Sequence, residues 1–95
     1  MKIVVNRCFG GFNISEDSYK SLGIEPYEFD RYDYEHQRKN PDLITLVEAD
    51  AAKASGYCSE LAVVEIPDEA TDWDINDYDG LETVIYVLDG KIHYV

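Results

Sequence analysis

The sequence predicts an α+β fold, with a mainly antiparallel sheet, two helices on one face of that sheet and a C-terminal β-meander. Two observations indicate this class. Helix-capping residues flank two segments in the first part of the chain, and after residue 60 the apolar residues alternate with polar ones, as in half-buried strands. The chain has 95 residues, so we expect one domain that covers residues 1–95.

The first predicted strand is "KIVVNRC", residues 2–8. Ile3, Val4 and Val5 are consecutive apolar residues, which is typical of a strand buried on both faces. We therefore expect this strand to be central in its sheet. The strand ends at Gly10 and Gly11.

The first helix is predicted to begin after Ser15, a favoured N-cap residue. Glu16 and Asp17 follow in the first turn, where negative charge suits the helix dipole. Gly23 is the expected end, because glycine adopts the left-handed conformation that closes many helices.

The clearest helix begins after Asn40, with Pro41 in the first helical position. We expect this helix to continue to Gly56 with one apolar face, formed by Leu43, Leu46, Val47, Ala51 and Ala54. Residues 24–39, which lie between the two helices, are predicted to be mostly irregular.

The remaining strands are predicted in "ELAVVEI", "TDWDIND", "LETVIYVL" and "KIHYV". Two Asp-Gly pairs, Asp79-Gly80 and Asp89-Gly90, lie between apolar runs and indicate tight hairpins. A two-residue turn at Asp89-Gly90 fixes the pairing, so that Leu88 faces Lys91, Val87 faces Ile92 and Ile85 faces Tyr94.

The whole chain has a net charge of −12, and most of the negative charge lies in its second half. Residues 65–82 hold eight Asp or Glu and no Lys or Arg. Such a segment repels nucleic acid and anionic membrane surfaces, and it suits a protein partner with a basic surface. The alternative is a solvated face that only keeps the protein soluble. The candidate partner-binding residues are Glu65, Asp68, Asp72, Asp74 and Asp79, and the strand period places Asp72 and Asp74 opposite the ring of Trp73.

The segment "CFGGFNIS" joins a strand to a helix through two glycines, an arrangement that can bind phosphate. It lacks the spacing of both glycine-rich nucleotide motifs. We favour a turn that needs the conformational freedom of glycine, with Phe9 and Phe12 anchored in the core. The alternative is a small-ligand site, for instance for a nucleotide signal, formed by Arg7, Gly10, Gly11, Ser15 and Arg31.

No catalytic or metal-binding motif is evident, and we expect neither an enzyme nor a cofactor. Cys8, Cys58, His36 and His93 have no useful metal-ligand spacing. The segment "DWDINDYDGLE" does not fit a calcium loop that starts at Asp72, because position 6 is then Asp77 instead of glycine and position 12 is Thr83 instead of Glu. We expect both cysteines to be reduced and buried, as in a cytoplasmic protein. We expect no signal peptide, and no apolar run reaches the length of a membrane span.

Two blocks of the sequence, "MKIVVNRCFGGFNIS" and "NPDLITLVEADAAKASGYCSELAVVEIPDEATDWDINDYDG", resemble a group of small proteins encoded by bacteriophages and prophages. The resemblance implies a phage origin and the cytoplasm of a host cell, and it implies no catalytic residue. Together with the acidic segment, it leads us to expect a non-enzymatic accessory protein that binds and inhibits a host or defence protein. A homo-oligomer is also compatible with the sequence.

Overall fold

The computed structural model describes all 95 residues and confirms the α+β class. The strands are β1 (Lys2–Asn6), β2 (Leu61–Glu65), β3 (Asp72–Tyr78), β4 (Leu81–Leu88) and β5 (Lys91–Tyr94), and the α-helices are α1 (Glu16–Leu22), α2 (Pro41–Ala49) and α3 (Ala51–Ala54). The strands form two antiparallel sheets, one of β1 and β2 and one in the order β3-β4-β5. No helix combines the length and the apolar character that crossing a membrane requires.

Strand β1 lies between two apolar clusters, which explains its run of consecutive apolar residues. Val4 belongs to the cluster on the helix side, together with Leu43 of α2. Ile3 and Val5 point the other way and pack in the cluster that includes Val84 of β4. All three β1 residues are fully buried. The prediction of burial on both faces is therefore confirmed, and the helices cover one face of the two-stranded sheet.

The expectation that β1 is central in its sheet is wrong. Strand β1 pairs with β2 along one edge only. Along its other edge, the carbonyl of Val4 accepts a hydrogen bond from Arg38 Nη1 at 3.2 Å, and the N–H of Asn6 donates to Glu82 Oε1 at 2.8 Å. Two side chains thus replace a neighbouring strand, because a buried edge must have its backbone groups hydrogen-bonded.

Arg38 and Glu82 form a buried, bidentate ion pair. Arg38 Nη1 donates to Glu82 Oε1 at 2.7 Å, and Nη2 donates to Oε2 at 2.8 Å. The guanidinium also lies 3.5 Å from the centre of the Phe12 ring, and its Nε donates to the carbonyl of Arg31. Glu82, the last carboxylate of the acidic segment 65–82, is therefore almost completely buried.

The predicted helix limits are largely confirmed, but the second helix is interrupted. Ser15 caps α1 by accepting from the N–H of Ser18, and Gly23 closes it with φ of 69°. Asn40 caps α2 as expected. At Asp50 the backbone becomes extended, with φ of −161°, and the Asp50 side chain then caps the short helix α3. Asp favours this capping role, since its carboxylate competes with the helix for backbone N–H groups.

The segment between α1 and α2 contains two short helices that were predicted as irregular structure. Pro26–Glu28 forms a 3₁₀ turn, and Tyr34–Arg38 forms a single π-helical turn. The π turn is the element that carries Arg38 toward β1 and Glu82. Asp33 begins this turn by accepting from the N–H of His36.

The two predicted hairpins are confirmed, and so is the pairing predicted for the Asp89-Gly90 hairpin. Asp79, Gly80, Asp89 and Gly90 all have positive φ, between 51° and 90°, as two-residue turns of this type require. In the β4–β5 hairpin the paired residues are Leu88 with Lys91, Val87 with Ile92 and Ile85 with Tyr94.

The loop at Gly10 and Gly11 is primarily a site of close backbone packing. Both residues have positive φ, of 138° and 103°. A side chain on Gly80 would collide with the backbone nitrogen of Gly11, and one on Gly10 would collide with the Cys58 carbonyl oxygen. Phe12 is buried here as expected.

Candidate functional site

The three-stranded sheet has one face that is not covered by the rest of the protein. Its inner face contributes Ile75 and Val84 to the core. Because side chains alternate along strands, the neighbouring positions point away from the core. We call the resulting surface the outer face; its residues are Asp72, Asp74, Asn76, Tyr78, Leu81, Thr83, Ile85, Val87, Ile92 and Tyr94.

Two rows of side chains cross the outer face from β3 to β5. In the first row, Asp74 pairs with Ile85, which pairs with Tyr94. In the second row, Asp72 pairs with Val87, which pairs with Ile92. Ile92 and Tyr94 are 63% and 67% exposed, which is high for large apolar side chains. The outer face therefore has an apolar part along β4 and β5 and carboxylates along β3.

The carboxylates of Asp72 and Asp74 also protect the free edge of β3. Asp72 Oδ1 accepts from the N–H of Trp73 at 2.9 Å, and Asp74 Oδ1 accepts from the N–H of Ile75 at 2.8 Å. These N–H groups do not bond to β4, so they are already satisfied when another strand approaches. Protected edges resist strand-to-strand aggregation. The β3 edge is thus protected against pairing with another strand, and the outer face is the candidate surface for a partner.

An exposed aromatic pair extends the outer face at the β3–β4 turn. Phe9 packs edge-to-face against Tyr78 with ring centres 6.3 Å apart, and these rings are 63% and 69% exposed. Asp79 lies at the same place, because its carbonyl accepts from the N–H of Gly10. The expectation that Phe9 is anchored in the core is therefore wrong. The tight Gly10–Gly80 contact instead holds Phe9 at the surface beside the hairpin.

The candidate acidic residues do not form one cluster. Asp72 and Asp74 are on the outer face and Asp79 is at its end, whereas Glu65 ends β2 opposite Lys2. Asp68 accepts a hydrogen bond at 2.7 Å from the Met1 ammonium, which holds the pKa of its carboxyl below the ordinary value of 3.8.

Glu65 also lies in the electrostatic surroundings of Lys2, whose amino group is held chiefly by Glu48. The hydrogen bond from Lys2 Nζ to Glu48 raises the lysine pKa above 10.5, and the charge of Glu65 adds to the effect. Glu65 and Asp68 thus lie beside positive charges that an outside partner would have to compete with.

A second candidate site is a cavity of about 410 Å³, which we call the Arg31 cavity. Three of the predicted ligand residues, Gly10, Gly11 and Arg31, line it. The remaining lining residues are Phe12, Asn13, Tyr19, Phe29, Asp30, Tyr32 and Tyr57. The structure therefore brings the two glycines and one arginine together, in an opening with many aromatic rings.

Arg7 and Ser15, the other two predicted ligand residues, are not in the Arg31 cavity. Arg7 Nη1 donates to the carbonyl of Glu82 at 2.9 Å, so this side chain points toward the meander. The Ser15 hydroxyl is used in capping α1, where it contacts the N–H and hydroxyl of Ser18.

The cysteines are both free, but they differ in exposure. Cys8 is half-buried, and its Sγ lies 3.2 Å from the Cys58 carbonyl oxygen. Cys58 is exposed and has φ of 61°, so the expectation that both thiols are buried is wrong for Cys58. No group of three or more His, Cys, Asp or Glu side chains is placed to hold a metal ion.

Comparisons with protein-family models, with curated proteins and with solved structures find no match to this chain. The functional interpretation of each candidate site therefore rests on the geometry of that site. Sequence reasoning missed the apolar part of the outer face, although the pairing it predicted already placed Tyr94 beside Ile85 and Ile92 beside Val87. It also missed the role of Phe29 and Tyr57 in the Arg31 cavity, for which no local motif exists.

Proposed function

We propose that this chain is a non-enzymatic binding protein whose outer face docks onto a basic surface of a partner protein. The observation that carries the proposal is the arrangement of Asp72 and Asp74 in cross-strand rows with the exposed side chains of Ile92 and Tyr94. Large apolar residues rarely remain this exposed in contiguous groups unless something covers them.

The two parts of the outer face would contribute differently to binding. Exposed aromatic side chains such as Tyr94 and Tyr78 are typical of the residues that dominate the affinity of protein interfaces. Carboxylates at the rim of an interface mainly orient the partner and raise the association rate. The overall net charge of −12 acts in the same direction, since it attracts a basic partner from a distance.

The class of partner we propose is a host or defence protein with a basic, nucleic-acid-binding surface. An acidic face can occupy such a surface in place of phosphate charge and thereby inhibit it. The resemblance to small phage-encoded proteins supports this reading and suggests action in the host cytoplasm. Asp79 and the Phe9–Tyr78 pair would lie at one end of the contact.

The test begins with capture of partners from bacterial lysate, and affinity is then measured with the purified partner at several salt concentrations. The variant Asp72→Asn/Asp74→Asn removes two charges but retains the Oδ1 acceptors of the β3 edge. The variant Ile92→Thr/Tyr94→Thr removes the two exposed β5 side chains of the apolar part. We expect each variant to weaken binding at least tenfold, and added salt to weaken wild-type binding because charges are screened over ~10 Å at 0.1 M.

The matched control is Glu16→Gln/Asp17→Asn, which removes two exposed acids from α1, away from the outer face. We expect this control to bind like wild type apart from a small general effect of net charge. A partner whose affinity is equal for wild type and both outer-face variants would refute the proposal.

A further inference from the structure

The Arg31 cavity contains a cation without a matching carboxylate. Arg31 Nη2 lies 3.2 Å from the hydroxyl of Tyr32, and Nη1 lies 3.5 Å from the carbonyl of Phe12. No carboxylate forms an ion pair with it, whereas Arg38 is fully paired with Glu82. A guanidinium has five N–H donors, so Arg31 retains donors that can bind an anion.

The guanidinium of Arg31 lies against Gly11. A Cβ atom on Gly11 would lie 3.3 Å from Arg31 Nη1, and Gly11 has φ of 103°. The guanidinium therefore lies over the glycine backbone at the wall of the cavity. The Gly10–Gly11 loop thus forms part of the cavity wall in addition to packing against Gly80.

The apolar wall of the same cavity is formed by aromatic side chains. Phe29 stacks on Phe12 with parallel rings 5.8 Å apart, and Tyr19 meets Phe29 edge-on at 6.1 Å. Burial raises the pKa of the Tyr19 phenol above 10.0, so this group is neutral at physiological pH. Tyr32 and Tyr57 are largely exposed and lie at the opening. Such rings provide flat apolar surfaces for a planar ligand.

Asp30 adds an acceptor to the cavity. Its Oδ1 accepts from the N–H of Tyr32 at 2.9 Å, which orients this carboxylate at the cavity wall. A ligand for this cavity therefore needs a planar ring, one anionic group for Arg31 and hydroxyl or amino donors for Asp30. The volume of about 410 Å³ is in the range of small-molecule sites.

We infer that the Arg31 cavity binds a nucleoside 5′-monophosphate, with the phosphate on Arg31, the base against the aromatic wall and ribose hydroxyls toward Asp30. One guanidinium matches one phosphate group. The same chemistry is present at the phosphorylated end of a nucleic-acid strand, but a long polyanion is repelled by a chain of net charge −12. This inference does not depend on the proposed function of the outer face.

The test is titration of the full chain with AMP, GMP, CMP and UMP. Binding is measured by NMR chemical shifts and by calorimetry. Adenosine and inorganic phosphate serve as partial ligands. We expect at least one monophosphate to bind and its parent nucleoside to bind at least tenfold more weakly. Arg31→Gln should remove the difference between nucleotide and nucleoside, while the control Lys91→Gln, which removes an exposed cation from β5, should retain it.

Tyr57→Ala provides a second variant, since this side chain is 89% exposed and its loss should leave the fold intact. We expect it to weaken nucleotide and nucleoside alike, because it removes ring contact rather than charge. Absence of binding by all four monophosphates at millimolar concentration, or unchanged affinity in Arg31→Gln, would overturn the inference. Tighter binding of a 5′-phosphorylated oligonucleotide than of the free nucleotide would overturn the assignment to a free nucleotide.

Discussion

Arg38 and Glu82 form an ion pair that takes the place of a β-strand. Each residue contacts the other and also one backbone group of β1, so the pair joins the π-helical turn, the N-terminal strand and the meander. The pair is more than an isolated buried salt bridge, because its removal also leaves backbone groups of Val4 and Asn6 without partners. Substitutions of this pair should therefore affect stability differently from substitutions of an isolated buried ion pair.

Glu82→Gln should lower the free energy of unfolding by about 3–5 kcal/mol, the usual cost of leaving a buried charge without its partner. The amide retains an acceptor for the Asn6 N–H but cannot balance the Arg38 charge. Chemical denaturation measures the effect. Glu69→Gln, which removes an exposed carboxylate from the same acidic segment, is the control and should change stability by less than ~0.5 kcal/mol.

The double variant Arg38→Met/Glu82→Leu extends this prediction. Apolar replacement of a buried ion pair is often neutral or stabilising. Here the Val4 carbonyl and the Asn6 N–H would lose their partners, at roughly 1–3 kcal/mol each. The double variant should therefore remain less stable than wild type. Full recovery of wild-type stability would show that the contacts with β1 contribute nothing.

Gly80→Ala should be much more harmful than Gly90→Ala, although both glycines close two-residue hairpins with positive φ. At Gly90 nothing lies within 4 Å of an added Cβ, so only the left-handed conformation is penalised, by roughly 1–2 kcal/mol. At Gly80 the Cβ also collides with the Gly10–Gly11 backbone, which adds about 1–3 kcal/mol. Thermal or chemical denaturation of the two variants compares them directly. Equal losses would contradict the close packing of these loops.

Stability should decrease as pH rises above about 10, because burial raises the pKa of both Tyr19 and Tyr34 above 10.0 in the folded chain. A raised pKa means that the folded state holds the proton more tightly than the unfolded state. The resulting stabilisation is complete below pH 10.0 and is lost as pH rises through the folded-state pKa.

The measurement for the tyrosine prediction is urea denaturation between pH 8 and pH 12. Tyr19→Phe/Tyr34→Phe should make the alkaline loss of stability shallower. Tyr27→Phe, at an exposed position, should follow the wild-type curve. If all three curves have the same alkaline slope, the two half-buried phenols do not cause the pH dependence.

Native thiol labelling should show one fast and one slow cysteine. Cys58 is exposed, whereas Cys8 is half-buried with its Sγ against a carbonyl oxygen. Reaction with a disulfide reagent without denaturant should therefore modify Cys58 first. Cys58→Ser should remove the fast phase and Cys8→Ser should leave it. Two equally slow thiols would agree with the expectation from the sequence and contradict the structure.

The features that sequence reasoning predicted are those set by neighbouring residues. Ser15, Gly23 and Asn40 specify helix limits within one turn of chain, and the Asp89-Gly90 turn fixes its hairpin by local geometry. The interruption at Asp50 was also local in principle, since Asp is a strong N-cap. It was missed because the apolar face continues from Val47 to Ala54 across the break.

The features that sequence reasoning did not predict depend on contacts between distant segments. Whether β1 has one strand neighbour or two is decided by Arg38 and Glu82, and neither residue carries a local sign of burial. Charged side chains are normally assigned to the surface, and only a partner elsewhere in the chain reverses that assignment. The exposure of Phe9 was missed for the same reason, since it follows from the packing of Gly10 near the β3–β4 turn.

The dependence of β1 on Glu82 has a consequence for the order of folding during synthesis. Asn6 and Glu82 are separated by 76 positions, so the ribosome delivers the β1 partner last. At ~5–20 residues per second, β1 is synthesised about 4–15 s before Glu82. During that interval the N–H of Asn6 lacks its partner, and Ile3 and Val5 lack Val84 of the second apolar cluster. A nascent chain stalled before residue 82 should therefore be the species of this protein most prone to aggregate or to recruit a chaperone.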